Sequence, residues 1–126
     1  MMKKIQKLMG DLSKNFSRSE FACKCGCGFD TVDIRLLDYL ETVRKHFNQK
    51  VTINSGCRCM KHNIEVSGSE HSQHLYGRAA DIVVEHNRPF DVHKFLGTLN
   101  PNGLGLYKTF VHVDSRSHEN ARWDRS

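Results

Sequence analysis

Two histidines and one aspartate stand where the sequence favours a metal site. Asp81 lies in the run AADIVV and His112 in FVHVD, and both runs predict β-strands. A carboxylate among small and apolar residues needs a partner, because burying an unpaired charge is costly. His74 precedes the first strand in a polar, glycine-bearing loop. Two histidines and a carboxylate form a recurrent catalytic zinc ligand set with a fourth position for water, so we predict a zinc site.

Side-chain alternation in strands decides which groups can face that zinc. His112 and Asp114 share one face of their strand, and the intervening valine takes the other. If the two predicted strands are neighbours, Asp81 and His112 converge. Each residue taken alone has a simpler interpretation: His74 would be a surface loop residue, Asp81 would be a salt-bridge partner, and His112 would be a half-buried core histidine. The presence of all three residues on converging segments favours the interpretation as a metal site.

Hydrophobic periodicity places these residues in the order helix, strand, loop, strand, helix, strand. The clearest helix covers roughly residues 31–47, with Asp30 or Thr31 as N-cap. The other expected elements are a helical turn opened by the capping box Ser17-x-x-Glu20, a strand in KVTINSG, a short helix in MKHNIEV, a strand in RAADIVVE, a helix beginning at Pro89, a turn in PNGLG and a strand in LYKTFVHVDSR. This order predicts an α+β domain with a small, largely antiparallel sheet and flanking helices.

Length and composition favour one domain. The chain has 126 residues, of which 38% are hydrophobic and 26% charged. We expect residues 1–15 to form a basic lead-in and residues 16–126 the single domain, as a monomer. No apolar run is long enough to span a bilayer, and the basic start MMKKIQKLMG lacks the apolar region of a signal peptide, so we expect synthesis in the cytoplasm without a signal peptide.

The net charge of +5 favours contact with polyanions, among them anionic wall polymers. It is equally compatible with an ordinary solvated basic surface. A nucleic-acid-binding protein would cluster basic residues on one face with aromatic residues between them. The sequence contains no such pattern, so we expect no nucleic-acid partner.

The cysteines fall into two tight groups. Cys23, Cys25 and Cys27 form the first group, and Cys57 and Cys59 form the second. Their odd number and the expected cytoplasmic origin argue against a fully paired disulfide framework. Three possibilities remain open: a second metal held by four thiolates, one disulfide formed after release, or reduced thiols packed as small hydrophobes.

Three ordered segments resemble a known family. SQHLYGRAAD, from Ser72 to Asp81, resembles the S-x-H-x-x-G-x-A-x-D signature of zinc D-Ala-D-Ala carboxypeptidases. Upstream, SGCR at 55–58 resembles the S-G-x-R element of that family, and downstream FVHVD at 110–114 resembles its second-histidine strand. The resemblance spans roughly residues 16–124 and implies the fold shared by hedgehog-type domains and D,D-peptidases.

The resemblance also implies a function. It implies that zinc is held by His74, Asp81 and His112 and that Arg58 contacts the substrate carbonyl or stabilises the oxyanion. The expected reaction is hydrolysis of an amide bond in peptidoglycan stem peptide, by a D,D-carboxypeptidase or an endolysin-type endopeptidase. A prophage endolysin, which acts at the cell wall after release, fits the expected absence of a signal peptide. The alternative is a catalytically inactive, zinc-stabilised binding domain of the same fold.

The general base is the point at which the sequence departs from the family. Relatives keep this base two or three residues before the last histidine ligand, where this chain has Phe110 and Thr109. Asp114 is the nearest substitute, and His71 is another candidate. Asp114 is equally suited to orient His112, or to pair with Arg58 or Arg116.

Overall fold

A computed structural model describes residues 11–117 and 120–126. Residues 1–10, which make up most of the expected basic lead-in, lie outside the described residues. The helices are α1 (Ile34–Phe47), α2 (Met60–Glu65) and α3 (Pro89–Thr98), with 3-10 turns at Arg18–Glu20 and Gln73–Tyr76. The strands are β1 (Val51–Ser55), β2 (Ala79–Val84), β3 (Gly103–Tyr107), β4 (Val111–Asp114) and β5 (Ala121–Arg125).

The five strands form one sheet in the order β1-β2-β4-β3-β5. Every neighbouring pair is antiparallel except β3 and β5, which run parallel. This confirms the predicted α+β class and the largely antiparallel sheet. The neighbours β2 and β4 place Asp81 directly opposite His112. The two predicted metal-binding strands therefore lie side by side.

The hydrophobic core lies between the sheet and the helices α1 and α3. In β4 the side chains of Val111 and Val113 belong to this core, so His112 and Asp114 are left on the opposite face. The core residues with almost no exposed surface include Phe16, Phe21, Leu36, Leu40, Val43, Ile82, Val84, Val92, Leu96 and Leu104. Burial of one face of the sheet thus fixes which residues point toward the candidate site.

Two predicted helix starts have different outcomes. The capping box forms as predicted, since the amide of Ser17 donates a hydrogen bond of 2.6 Å to the Glu20 carboxylate. The longer helix α1 begins at Ile34 with Asp33 as N-cap, so the predicted caps Asp30 and Thr31 are wrong. Asp33 itself has extended backbone angles, and its amide donates a hydrogen bond of 2.8 Å to the Gly77 carbonyl.

The predicted third strand in LYKTFVHVDSR is two strands, β3 and β4, joined by a hairpin. The predicted turn in PNGLG is also wrong, because β3 begins at Gly103. Gly103 and Gly105 are strand residues: a Cβ at Gly103 would collide with the Asp114 carboxylate, and one at Gly105 would collide with the Trp123 indole. The edge strand β5, which carries Trp123, was not predicted.

In the parts of the chain that the structure describes, no helix is both long enough and apolar enough to cross a membrane.

Candidate metal centre

The side chains of His74, Asp81 and His112 meet on the face of the sheet opposite the core. Nδ1 of His112 lies 3.0 Å from Oδ1 of Asp81, and Nε2 of His74 lies 3.3 Å from the same oxygen. One potential ligand atom from each residue lies within 4.8 Å of the other two. Only 3% of the His74 surface and 7% of the His112 surface is exposed, so the cluster is largely shielded from water.

His74 is positioned by the loop before β2. Ser72 caps the turn Gln73–Tyr76 by accepting a hydrogen bond of 3.2 Å from the His74 amide. Nδ1 of His74 lies 2.5 Å from the carbonyl oxygen of Gly56. Because a carbonyl only accepts hydrogen bonds, Nδ1 must carry the proton, and the lone pair of His74 is then on Nε2, the atom facing Asp81.

One ring nitrogen of His112 is likewise held by an oxygen, in this case by the carboxylate of Asp114. Nε2 of His112 lies 2.7 Å from Oδ2 of Asp114, and Nδ1 faces Asp81. When Asp114 is ionised it can only accept, so Nε2 carries the proton and Nδ1 can offer its lone pair. Each histidine therefore presents one nitrogen to the site and has the other fixed by an oxygen, as in metal-ligating histidines generally.

The separations of the donor atoms suit a zinc ion. Zinc bonds to nitrogen or oxygen of about 2.0–2.1 Å in a tetrahedron put neighbouring ligand atoms about 3.3 Å apart. The observed separations of 3.0 and 3.3 Å are close to this value. The donor set, two imidazoles and one carboxylate, is also the one found in catalytic zinc sites with an open position. The residues present thus fit a single zinc ion.

The electrostatics of the cluster favour positive charge at this point. Burial alone would raise the pKa of Asp81, but its interactions with His112 and His74 outweigh this effect and hold the pKa below its usual range. Burial alone would lower the pKa of His112, but hydrogen bonds to Asp114 and Asp81 raise it. Asp81 is therefore an anion at neutral pH, as a metal ligand must be.

Asp114 is completely buried behind His112. Its Oδ1 accepts from Nε of Arg116 at 2.9 Å, and its Oδ2 accepts from Nη2 of Arg116 at 2.6 Å. Burial alone would raise the pKa of Asp114, but the hydrogen bonds from Arg116 and His112 hold it well below its usual range. Of the two arginines considered as partners for Asp114, Arg116 takes the role.

Arg58 lies beside Asp81 instead. Its Nη2 is 3.8 Å from Oδ2 of Asp81, while Nη1 donates to Oδ1 of Asn63 at 2.9 Å and Nε donates to Oγ of Ser55 at 3.3 Å. Asn63 is buried, and its Nδ2 donates to the carbonyl of Ser69 at 2.9 Å. Asn63 thus connects Arg58 to the loop that leads to His74.

A cavity of about 580 Å³ opens in front of the three donors. Tyr107, Phe110 and Trp123 line it, and the rings of Tyr107 and Phe110 stack at 4.3 Å. Nε1 of Trp123 donates to the Tyr107 hydroxyl at 2.9 Å, and the indole packs 5.0 Å from the His112 ring. Tyr107, Phe110 and Trp123 therefore form an aromatic wall of the cavity beside the candidate metal site.

The cavity is also lined by His71 and by the arginines Arg58, Arg116 and Arg125. Arg125 was missed in the sequence, because it lies on the unpredicted strand β5. The alternation in ARWDR, where Trp123 is half-buried and its neighbours are exposed, is the signal that could have revealed that strand. Asp114 does not line the cavity.

Comparison with known proteins identifies the family. A family model described as peptidase M15 matches residues 14–114. The chain therefore belongs to the M15 peptidase family, the metallopeptidases of the zinc D-Ala-D-Ala carboxypeptidase type, which confirms the resemblance seen in the motifs. The match contains Arg58 and all three candidate ligands. A search of curated proteins found no match to the chain.

Proposed function

We propose that residues 16–126 form a zinc peptidase domain that hydrolyses an amide bond in the stem peptide of peptidoglycan at the cell wall. The observation that carries this proposal is the convergence of His74, Asp81 and His112 at the end of a cavity, in a chain of the M15 family. The ligand atoms are Nε2 of His74, a carboxylate oxygen of Asp81 and Nδ1 of His112. When bound, zinc supplies Lewis-acid chemistry that activates water near neutral pH and polarises a carbonyl.

Arg58 is the group that binds the carbonyl oxygen of the scissile bond. Its guanidinium is always charged and its donors are rigid, so it suits an oxygen on which negative charge develops. The contacts with Ser55 and Asn63 hold it against the cavity at the side of Asp81. These contacts are made before substrate arrives, so little reorganisation is needed during the reaction.

Asp114 is a positioning residue for His112. Both of its oxygens are occupied by Arg116, one of them also contacts His112, and the side chain has no exposed surface. A general base must come within hydrogen-bond reach of the water or of the leaving amine, which lie in the cavity. The contacts therefore favour the orienting role over that of a base.

His71 is the group that takes the proton from water and returns it to the leaving amine. Among the described residues lining the cavity, His71 and Tyr107 are the titratable side chains besides the arginines and the three ligands. The Tyr107 hydroxyl is already engaged by Trp123, whereas His71 is exposed to the cavity. A histidine is also the residue type best suited to exchange protons at neutral pH.

The charge around the cavity supports an anionic peptide substrate. Arg58 and Arg125 line the cavity on different elements, and the chain as a whole carries a net charge of +5. Stem peptides carry carboxylates beside both the terminal D-Ala–D-Ala bond and the L-Ala–D-Glu bond. Positive charge also increases the time that a protein spends on anionic wall polymers.

Digestion of purified peptidoglycan tests the proposal. We expect the zinc-loaded protein, as a monomer, to release new amino groups, a chelator to abolish the release, and added zinc to restore it. Mass spectrometry distinguishes free D-alanine from a new N-terminal D-glutamate. A zinc-loaded protein that sediments with peptidoglycan but releases nothing would establish the inactive binding domain instead.

Two matched variants test the proton-transfer role. His71→Asn removes the imidazole at the cavity, and His86→Asn removes an exposed one beside Glu85. We expect kcat to fall by about 10²–10⁴-fold for the first variant, with unchanged zinc content, and to stay unchanged for the second. Normal kcat in His71→Asn excludes His71 as the base.

A further inference from the structure

Four of the five cysteine thiols meet in one cluster separate from the histidine site. Cys23, Cys25 and Cys27 come from the loop before α1, and Cys59 immediately precedes α2. The Sγ atom of Cys23 lies 3.4 Å from that of Cys25 and 3.8 Å from that of Cys59, and Cys25 and Cys59 are 3.6 Å apart. One sulfur from each of the four residues lies within 4.8 Å of the others.

These separations match a zinc ion bound by four sulfurs. Zinc–sulfur bonds of about 2.3 Å in a tetrahedron place neighbouring sulfurs about 3.8 Å apart. A disulfide would require about 2.05 Å, and all five cysteines are unpaired in the structure. The spacing C-x-C-x-C is not that of common zinc fingers, so the backbone of this loop must turn sharply to aim three thiols at one point.

The loop makes these turns with glycine. Gly26 and Gly28 have φ of +82° and +91°, a region that other residues rarely adopt. The amide of Gly26 donates to the Cys23 carbonyl at 3.2 Å, and the amide of Cys23 donates to the Phe29 carbonyl at 2.7 Å. The chain therefore closes a compact loop around Cys23, Cys25 and Cys27.

Backbone amides also point at the sulfurs. The amide of Cys59 donates to Sγ of Cys23 at 3.4 Å, and the amide of His62 donates to Sγ of Cys59 at 3.4 Å. Hydrogen bonds of this kind favour the thiolate, the form that binds metal. Two of the four sulfurs thus have donors in place besides the other thiols.

The fifth cysteine, Cys57, is not part of this group of four and has other hydrogen-bond partners. Cys57 is buried, and its Sγ donates to the carbonyl oxygens of Phe21 at 3.2 Å and of Phe29 at 2.9 Å. A thiol that donates to carbonyls retains its proton. The structure therefore divides the five cysteines into a set of four and one separate thiol.

We propose that Cys23, Cys25, Cys27 and Cys59 bind a second, structural zinc ion. Four protein ligands leave no open position, which is the mark of a structural site. The ion joins the loop at 23–27 to the segment that carries Arg58, directly before Cys59. The amide of Arg58 donates to the His74 carbonyl at 2.9 Å, so the same segment is in contact with the histidine site.

Zinc stoichiometry and X-ray absorption test this proposal independently of peptidase activity. In a His74→Ala/His112→Ala background, we expect protein purified under reducing conditions to hold one zinc per chain, with a shell of sulfur at about 2.3 Å. Absence of zinc from this background, or zinc without a sulfur shell, overturns the proposal. Because the background lacks the histidine ligands, failure here leaves the proposed hydrolysis untouched.

A matched pair of cysteine variants locates the ion. In the same background, Cys25→Ser/Cys27→Ser is expected to lose the zinc and Cys57→Ser to retain it. The spectrum of the background protein needs no cysteine variant, so poor folding of one does not remove the test. In protein purified without reductant, a thiol count of five after metal removal and denaturation excludes a disulfide, and a count of three shows one and overturns the proposal.

Discussion

Oδ2 of Asp114 lies 2.7 Å from Nε2 of His112, on the opposite side of the imidazole from Asp81. Arg116 holds the Asp114 carboxylate from behind through two side-chain nitrogens. The ring of His112 is therefore fixed between two carboxylates, and only the one at Asp81 borders the cavity. This arrangement explains why a fully buried aspartate stands two residues after a candidate ligand.

The variant Asp114→Asn separates the orienting role from the role of a base. Asparagine keeps the shape but loses the charge that fixes the proton on Nε2, so we expect zinc affinity to fall by about 10–100-fold. Activity should largely return when zinc is raised to saturation. Zinc affinity is measured by competition with a chelator, and activity is followed against free zinc.

The control is Asp91→Asn, which removes an exposed carboxylate that also pairs with an arginine. Oδ2 of Asp91 lies 2.9 Å from Nε of Arg88. It should change neither property. Unchanged zinc affinity with turnover lost at saturating zinc would mean that Asp114 is the base after all.

Zinc binding at the histidine site should be visible in the fluorescence of Trp123, the single tryptophan of the chain. Its ring centroid lies 5.0 Å from that of His112, whose Nδ1 must carry no proton when the metal is bound. We expect titration of zinc into metal-stripped protein to change the fluorescence in one saturable step. Zinc at 100 times its Kd should also stabilise the fold by about 2.7 kcal/mol.

His74→Ala provides the control for this titration, because it removes a proposed ligand while Trp123 and His112 are both retained. The fluorescence step should disappear in this variant. A step of undiminished size and affinity in His74→Ala would show that the signal comes from zinc bound elsewhere.

The sequence predicted the segments of the candidate site because local rules govern them. Alternation in a strand separates His112 from its valine neighbours, and the apolar pattern around Asp81 marks its strand. Neighbouring β2 and β4 then bring Asp81 and His112 together. The roles of the three residues as ligands stay predictions, to be tested by the metal experiments above.

Features that depend on distant contacts were not predictable in the same way. Gly103 and Gly105 suggest a turn when only neighbours in sequence are considered, but they are glycines because Asp114 and Trp123 cover them. The partition of the cysteines likewise depends on how residues 23–27 meet Cys59, more than 30 positions away. Such contacts are set by tertiary packing and leave little trace in local composition.

Glu41 gives the fold a defined dependence on pH. Burial alone would raise its pKa, but hydrogen bonds from Ser13 and Asn15 lower it. The backbone amide of Asn15 donates to the Glu41 carboxylate at 2.8 Å, and the side-chain amide of Asn15 donates to it at 2.6 Å. A carboxylate with a lowered pKa stabilises the fold above its unfolded pKa of about 4.3, and that stabilisation is lost as pH falls through the folded value. These contacts join residues 13–15 to α1.

We therefore expect Glu41→Gln to lower Tm at pH 7 and to have a shrinking effect as the pH falls below about 4. Thermal unfolding followed by circular dichroism between neutral and acidic pH measures the difference. Glu65→Gln, at an exposed position on α2, serves as control and should match the original protein throughout. An effect of Glu41→Gln that is equally large in acid would contradict the assignment.

The close approach of Trp123 to Gly105 can be tested by a pair of glycine variants. In Gly105→Ala the new methyl group collides with the indole, which must move away from His112 and from the Tyr107 hydroxyl. We expect a loss of about 1–3 kcal/mol in the free energy of unfolding, together with lower activity.

In Gly97→Ala the methyl group lies in α3, where the nearest atom is Cδ2 of Leu104 at 4.0 Å. The second variant should gain about 0.5–1 kcal/mol, because alanine is the better helix former.

Urea unfolding of the two variants beside the original protein measures both changes. The opposite signs are the essential result, because a general intolerance of added methyl groups would destabilise both variants. Trp123 fluorescence provides the second readout: its emission should shift in Gly105→Ala, where the indole is displaced, and stay constant in Gly97→Ala. If Gly105→Ala is as stable as the original protein, with the same emission, the indole does not rest on Gly105. The wall of the cavity beside His112 would then be built differently.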